Sequence, residues 1–283
     1  MSVHAITRLS AEYRPDGFGI GVDRPRLSWT LDADPGVHQV GYEIRVDRGG
    51  ETTSTGEVAS IEQVLVDWPT APLASREIAD VAVRSLLSSG EWTDWSDELR
   101  IEVGLLAQDD WSEDFVSPSV EAPAEGVRPG YLLRAAFELP SGIARARIHA
   151  TAHGIYALEL NGVRVGDEEL APGWTSYLHR LRSQTYDVTA ALRAGENVVG
   201  AQLTDGWYRG RIGFHGGIWD NYGHDLSLLV QLEITDGDGV TTVIPLTDSW
   251  KWGTGPVTAA SLYDGERFDA RLIPDGWSEP GFD

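Results

Sequence analysis

Residues 144–165 read ARARIHATAHGIYALELNGVRV, and the period of this stretch decides the fold. Ala146, Ile148, Ala150 and Ala152 alternate with Arg145, Arg147, His149, Thr151 and His153. Beyond Gly154, Tyr156, Leu158 and Leu160 alternate with Ala157 and Glu159. A repeat of two puts successive side chains on opposite faces of an extended chain, the mark of a sheet with one buried face. Asn161-Gly162 then leads into Val163-Arg164-Val165, which predicts a tight hairpin with both central residues at positive φ.

The same patterning extends in both directions. Tyr186–Thr189, Val198–Leu203, Leu226–Ile234 and Val240–Leu246 are further strand candidates, the last two joined by a turn at Asp236-Gly237-Asp238-Gly239. Asp187 is placed to cap one or two helical turns, and Gly195 to end them in the left-handed region. Toward the N-terminus, Arg26–Thr30, Gly41–Val46, Gln63–Trp68, Ile78–Ser85 and Glu98–Gly104 alternate or carry β-branched residues. Pro25, Gly36, Gly49-Gly50, Pro69 and Gly90 punctuate them. Between the two groups, residues 106–130 are acidic, hold three prolines and show no sustained period, as an interdomain linker does. The expectation is an all-β chain of two β-sandwich domains, residues 1–105 and 131–283.

Composition excludes several functions. The 44 acidic and 22 basic residues give a net charge of −22, spread along all 283 residues. That field repels phosphate backbones and anionic lipid, so neither nucleic acid nor a membrane surface is an expected partner. Without cysteine there is no disulfide, thiolate metal site or cysteine nucleophile. The N-terminus lacks the apolar core of a signal peptide, and the sequence as written is expected to be soluble and cytoplasmic. His149 and His153 would lie about 13 Å apart on a strand, too far to chelate one ion, and no metal is assigned. No glycine-rich phosphate cradle opens a helix, so no cofactor is expected.

The most informative loop follows Val198–Leu203. It offers Trp207, Tyr208, Phe214, Trp219 and Tyr222 beside Asp205, Asp220 and Asn221. Aromatic faces stack on the apolar face of a sugar ring while carboxylates and amides bind its hydroxyls. The same aromatics could equally fill a core or an interface. Asp264, Glu266 and Asp269 cluster in sequence, but nothing local sets one carboxyl apart from another as glycoside hydrolysis requires.

From Leu170 the chain closely resembles the N-terminal β-sandwich module of bacterial α-L-rhamnosidases, glycoside hydrolase family 78. Pro172-Gly173-Trp174-Thr175 with Tyr177, Tyr186-Asp187-Val188-Thr189, Gly195-Glu196-Asn197 and Gly206-Trp207-Tyr208-Arg209-Gly210 carry the likeness in order. Thr247-Asp248-Ser249-Trp250, one residue short of the family pattern, and Tyr263–Arg271, with Phe268 for the usual tyrosine, continue it. Pro25–Trp29, Gln39–Tyr42 and Trp95-Ser96 are similar to the fibronectin-type-III-like domain that precedes the module, and Trp111 fits the connection between them.

The resemblance implies a fibronectin-III/immunoglobulin-like sandwich followed by a jelly-roll, galactose-binding-like one. It implies an accessory region of an α-L-rhamnosidase, with an (α/α)6 catalytic barrel in polypeptide beyond Asp283. No catalytic residue is carried over, and Trp111 to Tyr131 is too short to hold the calcium-dependent module of some relatives. The expected partners are the missing C-terminal domains and rhamnose-containing glycans. Trp174, Tyr177, Trp207, Tyr208, Trp219, Asp220, Asn221, Tyr222 and Glu266 are the candidates for sugar binding or interdomain contact. A stand-alone carbohydrate-binding module is the alternative.

Overall fold

The computed structural model describes residues 4–119 and 126–282, which divide into two compact units between Asp110 and Trp111. In the first unit, β1 (Ala5–Ala11) pairs with β3 (Leu27–Asp32) as a two-stranded sheet. A five-stranded sheet faces it, in the order β2 (Phe18–Ile20), β7 (Leu99–Val103), β6 (Ile78–Leu87), β4 (Gln39–Arg48) and β5 (Glu51–Ser54). As the alternation predicts, Ile44 and Val46 of β4 point into the core, where Tyr42 meets Trp29 edge-on at 5.2 Å. The Trp29 indole donates to Gln39 Oε1, which also accepts from the Ser85 hydroxyl, so the buried amide has partners. Gln63–Trp68 departs from expectation. It forms no strand: Leu65 turns to a positive φ, and the Leu27–Val66 bridge, a Trp29–Gln63 backbone bond and a bond from Leu65 N–H to the Ser28 hydroxyl tie it to β3.

The second unit is a sandwich of two larger sheets. One runs β11 (Val163–Val165), β10 (Ile155–Leu160), β13 (Gly195–Thr204), β8 (Tyr131–Leu139) and β16 (Trp250–Thr254). The other runs β12 (Gln184–Asp187), β9 (Ile143–His153), β14 (Ser227–Asp236) and β15 (Thr241–Ile244). A separate hairpin joins β17 (Val257–Ser261) to β18 (Gly265–Phe268). The opening stretch thus serves both layers, β9 in one sheet and β10 in the other. Ile148, Ala150 and Ala152 meet Tyr156, Leu158 and Leu160 in a single core closed by Leu133, Ala135, Leu203, Leu228 and Val230. Each large apolar side chain removed from water there contributes about 1.5–3 kcal/mol before entropy is charged against it. Asn161 and Gly162 both adopt positive φ, as the hairpin requires.

Part of the stretch expected to link the units is bonded to the second one. Ser112 donates to Gln231, Val116 bridges Leu228, and Glu113 accepts from Leu246 and Thr247 N–H. The reason is that β15 pairs with only the C-terminal half of β14, leaving an open edge that this segment fills. Gln231, Glu233 and His149 are buried beside it as a polar group, with the Gln231 amide donating to Glu233 at 2.7 Å. Residues 120–125 of the expected linker lie outside the described residues.

Candidate functional site

β13 ends at Thr204, and the chain turns at once into the single helical turn α1 (Gly206–Arg209). Gly206 makes that turn possible. Its φ is +51°, and a Cβ would sit 2.4 Å from Ile155 Cγ1. The close approach throws Trp207 and Tyr208 toward the rim of the sandwich, where they meet Trp174 and Tyr177. The indoles of Trp174 and Trp207 are parallel within 3°, centroids 6.1 Å apart. Trp174 Nε1 donates to the Tyr222 hydroxyl at 3.1 Å. Tyr177 packs on Tyr222 at 4.9 Å and edge-on to Tyr208 at 5.3 Å, and Tyr208 continues the chain of rings to His153 at 4.7 Å. Burial pushes the Tyr177 phenol up to about 12 and the Tyr208 phenol up as well, so both stay neutral hydrogen-bonding groups. Trp174 keeps 53% of its surface exposed, while Tyr177 is buried.

Trp219 and Asp220 belong to a second group behind this rim. Arg128, with its side chain fully buried, grips Asp220 with two nitrogens at 2.7 and 3.2 Å. It also reaches Asp205 Oδ2 and the Arg209 carbonyl, each at 3.4 Å, and lies 5.4 Å from the Trp219 ring centre. Arg209 in turn holds Asp205 Oδ1 at 2.6 and 2.8 Å. Two guanidinium groups and two carboxylates therefore lock the end of β13, α1 and residue 220 together. Burial pushes the Asp205 carboxyl up, while Arg209 and Arg128 pull it back. For Asp220 burial acts in the same direction but loses to hydrogen bonds from Arg128 and His224, and its carboxyl lies below the usual range.

The sign of that last shift fixes a pH dependence. Because Asp220 is lowered in the folded chain, its ionised form stabilises the group fully above the ordinary carboxylate value of about 4. The contribution is lost as pH falls through the lower folded value. The near-ultraviolet circular dichroism of the aromatic rim is therefore expected to show a step below about pH 4, where Asp220 takes up its proton. Asp220→Asn should abolish that acid step.

The structure thus gathers Trp174, Tyr177, Trp207, Tyr208 and Tyr222 into one ring-on-ring array, and Trp219 with Asp220 into the charged group. Asn221 is exposed between them. Glu266 is not part of either: it is exposed on the hairpin, on β18 opposite Ala260. Its neighbours are committed elsewhere. Asp264 accepts from Ser261 and from Arg211 at 2.8 Å, and Asp269 is held by Arg271, which keep both carboxyls below their usual range. A general acid needs its carboxyl raised and within reach of substrate. Asp205 is raised, yet it is enclosed by two arginines, so this arrangement does not build a glycoside-cleaving pair.

Arg128 is the residue that pattern reading missed. It is the lone cation of residues 106–130, and that charge against an acidic background was the signal available.

An immunoglobulin-type sandwich followed by a larger sandwich with an aromatic rim defines a tandem pair of β-sandwich modules. Residues 141–283 match the α-L-rhamnosidase N-terminal domain model, and residues 6–107 match the Rha78A-like N-terminal immunoglobulin domain. The chain belongs to the α-L-rhamnosidase family as its N-terminal region. An α-L-rhamnosidase of Formosa agariphila is 32% identical over 276 residues, covering 92% of this chain and 30% of that protein. The crystal structure of the α-L-rhamnosidase of Aspergillus terreus superposes with a TM-score of 0.89 at 38% identity, over 99% of this chain and 33% of that one. That of Streptomyces avermitilis, solved with L-rhamnose, gives 0.88 at 25% identity, over 99% and 44%. The chain therefore spans about a third of the first curated relative it matches.

Proposed function

We propose that this chain is the accessory platform of an α-L-rhamnosidase, with hydrolysis of terminal α-L-rhamnosides carried out by a catalytic domain in further polypeptide. The supporting observation is the coverage: relatives named for this activity are about three times as long as the part that this chain matches. The local chemistry agrees, since Asp205 and Asp220 beside the rim are tied to arginines. Among the described residues the one α-helix is four residues long, so they hold no helical barrel. The purified chain is expected to leave p-nitrophenyl α-L-rhamnoside intact. Turnover that survives repurification and disappears in Glu266→Gln would show a hydrolase instead.

One feature favours a second reading, a carbohydrate-binding module. Trp174 presents an exposed indole face braced by Trp207 and Tyr222. A sugar ring stacking on such a face would quench its fluorescence. Titration with L-rhamnose distinguishes the two: saturable binding lost in Trp174→Ala supports sugar contact, and a flat titration supports a purely structural rim.

A further inference from the structure

The second unit also holds a groove of about 330 Å³ that neither reading uses. Its floor is the outer face of β8 and the edge strand β16, and its wall is the C-terminal segment. Leu132, Gly253, Pro274, Trp277 and Phe282 give it an apolar lining. That wall is built rather than draped. Arg134 donates to the Trp277 carbonyl at 2.9 Å, and the Ser278 hydroxyl bonds Glu159. Trp277 covers Gly200 so closely that a Cβ there would lie 2.8 Å from its ring.

Of 22 basic residues, Lys251 is the only lysine, and it lines the groove directly across the ladder from Arg134. Arg134 is spent on backbone carbonyls and on the Phe282 ring, 5.5 Å away. Lys251 has no carboxylate or hydrogen-bond partner among the described residues. The described acids of the facing segment are Asp275 and Glu279, and the Glu279 side chain turns to Gly162; Asp283 lies outside the described residues. In a protein of net charge −22, an ammonium with no partner among the described residues, beside a braced tryptophan, can serve as a recognition element. It suits a ligand with one flat apolar face and one anionic group.

We infer that the Lys251 groove binds an acidic sugar unit, a pyranose carrying a carboxylate, with its ring against the Trp277–Phe282 wall and its carboxylate on the Lys251 ammonium. A pocket of a few hundred Å³, mostly apolar with few convergent polar groups, has the size for one such ring. Choosing a sugar as the ring-bearing anion rests on the rhamnosidase reading, whereas the carboxylate–lysine contact does not.

The single lysine supplies the test. Reductive methylation with 13C-formaldehyde labels Lys251 and the N-terminal amine, and the Lys251 signal is identified by its loss in Lys251→Gln. Titration with D-glucuronate and D-galacturonate is expected to shift the Lys251 signal saturably. The neutral methyl esters should bind at least about tenfold more weakly, as should Lys251→Gln measured by calorimetry without the label. Lys251→Arg should retain most of the affinity, and circular dichroism should show both variants folded. Equal shifts with acetate and uronate would reduce the site to an unspecific ion contact and overturn the proposal. So would no shift at all, or stronger binding of an acidic peptide than of either uronate. Rhamnoside turnover by this chain would refute the platform reading while leaving the uronate titration unchanged, so the two failures are separable.

Discussion

Arg128→Met is expected to destabilise the second unit by about 3–5 kcal/mol, the usual cost of removing one partner from a buried ion group. The size follows from what is left behind. Asp205 is 2% exposed and would keep only Arg209; Asp220 would lose its two-nitrogen grip and Trp219 the cation beside its ring. Replacing all the charges together would be far milder, because much of the penalty is the stranding of a carboxylate in a dry site. Adding Asp220→Asn to Arg128→Met should therefore restore part of the loss. For a unit of this size each kcal/mol moves the midpoint by about 2–4 °C. Calorimetry should show one transition lowered by on the order of 10 °C, and the transition of the first unit unmoved. Arg128→Lys should fall between, since a single ammonium cannot span Asp205, the Arg209 carbonyl and both Asp220 oxygens. An Arg128→Met chain within 1 kcal/mol of the parent on the order of measurement error would show that the network is dispensable.

How much of this was legible in the sequence depends on whether the cause is local. The Asn161-Gly162 hairpin was, because two positive φ values in a two-residue loop are a property of those two residues. The helical turn between Asp187 and Gly195 was legible only in part: Asp187 accepts from Thr189 N–H, but the turn Thr189–Ala191 ends in extended backbone at Leu192, and Gly195, though at positive φ, opens β13 instead of ending it. Tyr131–Leu139 was not marked as a strand, although Leu133, Ala135, Phe137 and Leu139 alternate inward, because the featureless linker composition beside it masked its start. Gln63–Trp68 looks like a strand on β-propensity alone; it does reach the free edge of β3, but the positive φ of Leu65 limits the pairing to a single bridge. The burial of Gln231 and Glu233 was invisible for the reverse reason. Their outer face is closed by Trp111–Val116, a non-local event that no alternation reports.

The site divides along the same line. Trp174, Tyr177, Trp207, Tyr208 and Tyr222 were named from type and motif, and the structure joins them. Glu266 came from sequence proximity to two other acids, and its place on an exposed hairpin leaves it outside the array. Arg128 escaped because its partners stand 77 to 92 residues away in the chain. A motif encodes neighbours in sequence, and this group is assembled only when the sandwich closes.

The stretch that decided the fold also contains its most sensitive backbone position. The alternation of Ala146 through Leu160 keeps even-numbered residues inward throughout, yet β9 and β10 lie in different sheets. The chain must therefore change layers without changing phase, and it does so at Gly154. There φ is +139°, and a Cβ would sit 2.6 Å from the Thr204 carbonyl oxygen and 3.0 Å from Leu226. Thr204 cannot yield cheaply, since it pairs with Ile155 in the β10–β13 ladder. Gly154→Ala should pay a backbone strain of about 1–3 kcal/mol and a comparable overpacking cost, for a total of about 2–6 kcal/mol. Gly142 is the control: its φ is +89° but a Cβ there meets nothing within 4 Å, so Gly142→Ala should cost only the strain of about 1–2 kcal/mol. Urea unfolding of the two variants would separate the effects, with a lower midpoint for Gly154→Ala at unchanged slope. Equal midpoints would mean that the layer change is carried by the loop as a whole and not by this one glycine.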